Sequence, residues 1–576
     1  MRFGFCDNRR GMLPRSSEYR GRARPWLGLL VALVLLNGAV TFHNVWPTLG
    51  VHWPGELSVE LAALVLLLAL SNAWLGPTTP RVLALLSALV VLFALGRYGE
   101  VTAPALYGRE VNLYWDGPRL ISVVAMFARV ASAWQLAAMS GTALLLLSLL
   151  YLLARWSLRQ IDAVLRHSRG ARLLFGTGSA LLLASFLAQQ LSQHVPRMPR
   201  FSIPVSRTYA DQLARIVDAL SSRRAARVLP PSPPLPSTLA SLAGSDVLLV
   251  FLESYGSITY DSPEYARMLK PARERLAAAL QQTGRGAVSA FVTSPTFGGQ
   301  SVLAHLSLLS GIEVRDATRY TLLMTQKRPT LVSAFKAAGY RAVAVMPGMR
   351  QDWPEGAFYG FDDIYDSTKL AYGGPEFGWW RIPDQYSVAA LDARELQPHP
   401  RRPVFVFFPT VSTHIPFQPI PPLQPDWQRM LSVHPYDAAP LQRALAQRAA
   451  WTDMGQSYSN SVQYFFDVLA SYLHERADDG LVLIVLGDHQ PAANVSGERA
   501  PWDVPVHIMS KRTDILEALQ RRGFRSGLTP THPALGKMNE LAIWLLDAFA
   551  RADRESPQPL HAERDGSAPA ESLPGN

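Results

Sequence analysis

The chain has 576 residues, 48% of them hydrophobic and 17% charged, with a formal net charge of +10. That length exceeds one ordinary domain, and the balance suits a soluble domain joined to a membrane part rather than a wholly soluble chain. The only cysteine, Cys6, excludes a disulfide within the chain. The positive charge is unevenly placed. Arg2, Arg9, Arg10, Arg15, Arg20, Arg22 and Arg24 precede the first apolar run. Beside a membrane segment such a tail, 1–25, reads as a cytoplasmic anchor, and no nucleic-acid partner is expected.

A membrane domain of about five helices is predicted over 26–192, because a bilayer crossing needs about 20 apolar residues. The spans are Trp26–Trp46, Leu57–Leu75, Arg81–Leu95, Ala137–Ala154 and Ala171–Leu191. The stretch Pro118–Trp134 is apolar but carries Arg129 in its middle. A charge at the bilayer centre is costly, so an interfacial or protein-covered helix is expected there. Arg155, Arg159, Arg166, Arg169 and Arg172 fall in the loop after the fourth span. The positive-inside rule places that loop and the N-terminal tail in the cytoplasm and the C-terminal half outside it. The loop Tyr107–Asp116 then also lies outside, as an aromatic anchor or a platform under the soluble domain.

A connecting region follows over 193–243. It holds a helical stretch, Tyr209–Ala226, and the stiff spacer Pro230-Pro-Ser-Pro-Pro-Leu-Pro236. From 244 to 550 short apolar runs alternate with helical patterns, which predicts an α/β domain with a mostly parallel central sheet. The strands are Val247–Leu252, Ala287–Val292, Arg341–Met346, Val404–Phe408 and Leu481–Leu486. The helices include Pro263–Gln281, Ser301–Leu309, Thr330–Ala338 and Met454–Glu475. The polar tail 551–576 is expected to be disordered.

Two of these strands end in chemistry. Leu481–Leu486 runs into Gly487-Asp488-His489, and Val247–Leu252 into Glu253-Ser254. Ligands of open α/β sheets bind at the carboxyl edge, and an acid with an Asp-His pair could hold one divalent cation there. A third element, Ser294-Pro-Thr-Phe-Gly-Gly-Gln-Ser301, leads into an apolar helix. Ser301 at that helix start could cap it, or could serve as a nucleophile beside the cation. Thr296 is the second choice of nucleophile, less favoured because it precedes the glycine turn. His305, inside the apolar helix, is read as a core histidine.

The ordered set Leu249-Val-Phe-Leu-Glu-Ser254, Gly298-Gly-Gln-Ser301, Thr413-His-Ile-Pro-Phe417 and Gly487-Asp-His489 resembles the lipoteichoic acid synthase and phosphoglycerol transferase branch of the sulfatase-like alkaline phosphatase superfamily. The resemblance extends over the membrane bundle and the soluble half. It implies an alkaline-phosphatase-like fold and one metal ion held by Glu253, Ser301, Asp488 and His489, with Ser301 also the nucleophile. Mn2+ or Mg2+ is favoured and Zn2+ is an alternative. His414 matches a histidine that contacts the substrate phosphate. Arg350 and Trp353 fall where the family places an Arg and a Trp near the phosphate, in a different spacing. Asp384, after Trp379-Trp380, resembles a supporting residue behind the site, as does Thr296.

The resemblance further implies a bacterial inner-membrane enzyme with its catalytic domain periplasmic or extracellular. Its donor would be a membrane phospholipid, phosphatidylglycerol or phosphatidylethanolamine. Its acceptor would be an envelope glycan, polymer or lipid. A sulfatase that oxidises its own Cys or Ser needs a Cys/Ser-x-Pro-x-Arg motif, which Ser294-Pro295 does not supply. The chemistry expected is therefore phosphoryl transfer through a covalent serine intermediate. Two alternatives stand beside it: a sulfatase-like phosphodiester or sulfate-ester hydrolase, and a non-catalytic membrane scaffold or sensor.

Overall fold

Among the described residues five helices occupy the region where crossings are expected: α1 Ser17–Thr41, α2 Val59–Trp74, α3 Pro80–Tyr107, α4 Ala133–His167 and α5 Arg169–Leu191. The computed structural model describes residues 17–45, 48–107, 110–114, 116–117, 133–191, 199–220, 229–234, 238–350, 353–378, 381–448, 453–476, 480–497 and 499–550. Among them three helices are long and apolar enough to cross a membrane, over Pro80–Ala105, Ala133–His167 and Arg169–Leu191. The apolar parts of the other two, Trp26–Thr41 and Val59–Trp74, are shorter. The ambiguous stretch 118–132, most of the basic tail and the tail 551–576 lie outside the described residues.

Three boundaries differ from expectation, the third helix continuing past Leu95 to Tyr107. The first helix stops at Thr41, and the chain turns into a short antiparallel pairing of His43–Asn44 with Val51–His52. The fourth helix does not stop at Ala154 but runs through Arg155, Arg159 and Arg166 to His167. Its last turns remain amphipathic. Leu158, Ile161 and Leu165 are fully buried, and Arg166 pairs with Asp162 one turn back at 2.6 Å. Helix α6, Val205–Leu220, packs on α3, its Tyr209 hydroxyl donating to the Leu92 carbonyl at 2.7 Å.

The soluble half is built on eight strands: β1 Val247–Leu252, β2 Gly286–Thr293, β3 Arg341–Met346, β4 Asp363–Asp366, β5 Val404–Pro409, β6 Val482–Gly487, β7 Asp503–Ser510 and β8 Arg525–Ser526. They form one sheet in the order β8-β2-β7-β6-β1-β5-β3-β4. The run from β6 to β4 is parallel, β7 is antiparallel to both its neighbours, and β8 is antiparallel to β2. The central strands are apolar throughout because both faces are covered. Val247, Leu249 and Phe251 of β1 enter one core with α8, Ser301–Ser310, and α11, Met538–Phe549. Leu248, Val250 and Leu252 enter the other with α7, Pro263–Gln282, and α10, Gly455–Glu475. A further helix, α9 Asp384–Leu391, is buried along its whole length.

The register places the chemistry. Leu252 pairs with Gly487 and Phe251 with Pro409, so β1, β5 and β6 end side by side. Thr293, the last residue of β2, pairs with Asp503 at the same edge.

Candidate active site

Glu253 leaves the end of β1, and Asp488 and His489 leave the end of β6. A carboxylate oxygen of each acid and a ring nitrogen of the histidine lie within 4.8 Å of one another, all three residues buried. His489 Nε2 stands 3.4 Å from Glu253 Oε1 and 3.5 Å from Asp488 Oδ2. Its Nδ1–H donates to the Gln490 carbonyl at 2.7 Å, which turns Nε2 toward the acids. Gly487 is required where it stands, since a Cβ there would meet the Tyr255 carbonyl oxygen at 1.8 Å.

Ser301 completes the cluster. Its hydroxyl donates to Glu253 Oε2 at 2.9 Å and lies 3.2 Å from His489 Nε2. The capping alternative does not hold. The residue at the cap position of α8 is Gln300, in the left-handed region at φ 63°, and no side chain caps the helix. Ser301 is the first helical residue, with its hydroxyl spent on Glu253. Thr296 is engaged within the turn, where its hydroxyl donates to the Gly299 carbonyl at 2.6 Å.

Residues that the sequence reading did not single out hold this arrangement. Ser254, at φ 58°, donates its N–H to Asp488 Oδ1 at 2.8 Å and its hydroxyl to Glu253 Oε1 at 2.9 Å. The Ser294 hydroxyl donates to the Asp488 carbonyl at 2.6 Å. Gln490, fully buried, donates to Ser257 and to the Pro501 carbonyl. Asp116 of the membrane half accepts from the Gln300 amide at 3.0 Å. Ser254, Ser294 and Gln490 adjoin recognisable motifs, and Asp116 closes the loop Tyr107–Asp116 that was read as an aromatic anchor or a platform under the soluble domain.

Burial, reinforced by Glu253, pushes the Asp488 carboxyl up to about 6. Burial works against the His489 imidazolium, yet the Asp488 and Glu253 carboxylates hold it above its ordinary value. The Asp488 Oδ2 atom has no hydrogen-bond partner among the described residues. Two acids, an imidazole and a hydroxyl in one buried cluster, with an orphaned carboxylate oxygen, form a donor set that fits a divalent metal ion.

His414 stands on the loop after β5, close enough for its ring to feel the charges of Asp488 and His489. Burial lowers it to about 4, so it is neutral at pH 7, and its Nδ1–H donates to the Ile415 carbonyl at 2.8 Å. Asp384 holds that loop by accepting the N–H groups of Val411 at 2.8 Å and Ser412 at 2.9 Å. Arg350 lines a small cavity that shares Ile382 with the one lined by His414. Trp353 instead packs into the core, nearly parallel to Phe361 at 5.9 Å and Phe407 at 6.1 Å. Trp379 and Trp380 lie outside the described residues. His305 is buried between Phe251 and Phe407, with ring centroids 4.5 and 5.3 Å away.

Residues 245–505 match the family model described as Sulfatase. Residues 245–505 thus carry a sulfatase-type domain, an enzyme domain, with the mostly parallel sheet expected of it. No curated protein matches the sequence. Among solved structures, the chain is similar to the lipoteichoic acid synthase LtaP from Listeria monocytogenes, at 14% identity, 52% of this chain, 71% of that chain and a TM-score of 0.32. It is also similar to the Streptococcus pyogenes phosphoglycerol transferase GacH in complex with sn-glycerol-1-phosphate, at 12% identity, 58% and 91% coverage and a TM-score of 0.33. A third is the C-terminal periplasmic domain of EcEptC from Escherichia coli, at 15% identity, 49% and 76% coverage and a TM-score of 0.32. Likeness at these values carries no argument about activity or substrate.

Proposed function

We propose that this chain is a membrane-anchored, metal-dependent phosphotransferase of the inner membrane, with its catalytic domain outside the cytoplasm. It moves a phosphoglycerol-type or phosphoethanolamine head group from a phospholipid, through a phospho-Ser301 intermediate, to an envelope glycan, polymer or lipid. The observation that carries this reading is the Ser301 hydroxyl. It starts a helix without capping it and points into the acidic cluster, 2.9 Å from Glu253 and 3.2 Å from His489.

Glu253 Oε2 fixes the direction of that hydroxyl, leaving its oxygen lone pairs toward an incoming phosphodiester. The N-terminal end of α8 and its helix dipole favour the anionic phosphoryl group. Ser301 Oγ forms a bond to phosphorus, and the bond from phosphorus to the diacylglycerol oxygen breaks. The serine gives up its proton, and the departing oxygen takes one up. An acceptor hydroxyl then bonds to phosphorus, the bond to Oγ breaks, and Ser301 regains a proton. Glu253, Asp488 and His489 would hold a divalent cation, Mn2+ or Mg2+ by preference, which would neutralise phosphate charge and acidify the hydroxyl beside it. His414, neutral with its Nδ1–H committed to the Ile415 carbonyl, is assigned to the phosphate side of the site by the family resemblance alone. Absence of the Cys/Ser-x-Pro-x-Arg motif supports phosphate over sulfate.

The test uses the full chain in detergent with phospholipids labelled in their acyl chains. Labelled diacylglycerol should be released, and Ser301→Ala should slow its release by roughly a thousandfold or more. Release by that variant at the unaltered rate would end the proposal. Product analysis with and without an added glycan separates transfer from hydrolysis.

A further inference from the structure

The geometry points to Gln490 as a positioning residue: its backbone carbonyl and its buried amide set His489 and the nucleophile turn as one unit. The inference rests on the proposed function and names a residue that serves the same site without touching substrate.

One peptide carbonyl joins two parts of the site. The Gln490 carbonyl accepts the His489 Nδ1–H at 2.7 Å and the Gly298 N–H at 3.1 Å. The first bond directs His489 Nε2 toward Glu253 and Asp488. The second holds the turn three residues before Ser301. A carbonyl oxygen offers two lone pairs, and both are committed here. Rotation of this one peptide would therefore misdirect the imidazole and shift the nucleophile together. Loss of a group that orients a ligating histidine commonly weakens metal binding by about 10–100-fold.

The side chain keeps that peptide from turning. Gln490 is fully buried and its amide is used at both ends. Nε2 donates to Ser257 Oγ at 2.8 Å and to the Pro501 carbonyl at 2.9 Å, and Oε1 accepts from the Ile258 N–H at 3.3 Å. These anchors are themselves fixed. Ser257 Oγ donates to Asp261 Oδ2 at 2.6 Å. Pro501 opens a row of three consecutive carbonyls that each hold a different segment. The Trp502 carbonyl accepts the Ser294 N–H at 2.8 Å, and the Asp503 carbonyl accepts the Ser257 N–H at 2.9 Å. The exits of β1, β2 and β6 thus hang on the one segment that leads into β7.

Gly256 supplies the steric counterpart. A Cβ there would meet Gln490 Oε1 at 1.7 Å and Cδ at 2.4 Å. The chain omits a side chain where the amide needs the space. A glutamine kept for packing alone needs neither a partner at both ends of its amide nor a carbonyl shared by the imidazole and the turn.

The experiment titrates the full chain in detergent with Mn2+ alone and follows amide exchange over 294–301 by mass spectrometry. Gln490→Met keeps the volume and removes the amide's hydrogen bonds. It should weaken Mn2+ binding about tenfold or more and speed exchange over 296–300. Leu276→Ala, a core truncation inside α7, should lower the melting temperature and leave Mn2+ affinity as it was. Gly256→Ala presses on the same amide and should also weaken Mn2+ binding. The double variant should bind more tightly than the two separate losses multiplied together predict, because both act through one side chain. Mn2+ affinity and exchange unaltered in Gln490→Met, an equal loss in Leu276→Ala, or losses that multiply fully would each overturn the inference and leave the Ser301 reaction standing. The predicted loss of Mn2+ binding, with no adduct on Ser301 of the unaltered chain, would sink the reaction and leave Gln490 in its role.

Discussion

A serine opening an apolar helix ordinarily turns its hydroxyl back onto the helix's own N–H groups. Ser301 is denied that role because Gln300, in the left-handed region, takes the cap position. Such a conformation costs a non-glycine residue on the order of 1 kcal/mol. The Gln300–Asp116 and Thr296–Gly299 hydrogen bonds within and beyond the turn offset it. A different buried residue contributes to the acid sensitivity of the domain. His507 is held by Ser289 at 2.7 Å and Tyr255 at 3.0 Å, with Tyr260 at 3.3 Å, and burial, aided by the charge of Arg273, lowers it to about 3. Folded His507 therefore stays neutral while the unfolded chain takes up a proton below about pH 6.5. Its contribution to stability is complete above that pH and is lost as pH falls toward 3, by on the order of 3–5 kcal/mol in all. His507→Gln should therefore flatten the fall in melting temperature between pH 6.5 and 4. Parallel curves for the two proteins would show that the imidazole is not the sensor.

The elements bring the site together by ending at one edge. Three of them were legible as apolar runs, Val247–Leu252, Val404–Phe408 and Leu481–Leu486, because central strands bury both faces. Strand β7 was not, since Pro505 interrupts its pattern, and β4 is short and opens and closes on aspartate. The site was legible where a chemical residue directly follows such a run, as Glu253, Asp488 and His489 do. It was not legible where a partner comes from far along the chain. The loop ending at Asp116 was legible as an aromatic anchor or a platform, but its particular partner, Gln300, 184 positions away, was not. Asp384 lies between these cases. It was expected behind the site, and it stands at the start of α9 with both oxygens on the N–H groups of the His414 loop. Asp384→Ala strands the buried Val411 N–H, costing about 1–3 kcal/mol, and the part-buried Ser412 N–H, costing less. We expect a lower melting temperature, faster hydrogen exchange over 410–417 and reduced turnover, with Asp384→Asn intermediate. Turnover and exchange unchanged in the alanine variant would show that the loop is positioned by other contacts.

At the scale of the whole molecule, the two halves meet at the nucleophile turn. The membrane half contributes Asp116 to that turn and residues to the wall of the cavity beside it, so the catalytic edge of the sheet lies against the helical half. Everything in this account passes through one covalent state, a phosphoryl group on Ser301. The direct measurement is peptide mass spectrometry of the full chain, quenched in acid after incubation with the donor lipid and a divalent metal. The account predicts a head-group phosphate adduct on Ser301, absent in Ser301→Ala and after treatment with a chelator. Steady turnover with Ser301 unmodified at every time point, or an adduct on Thr296 instead, would contradict it.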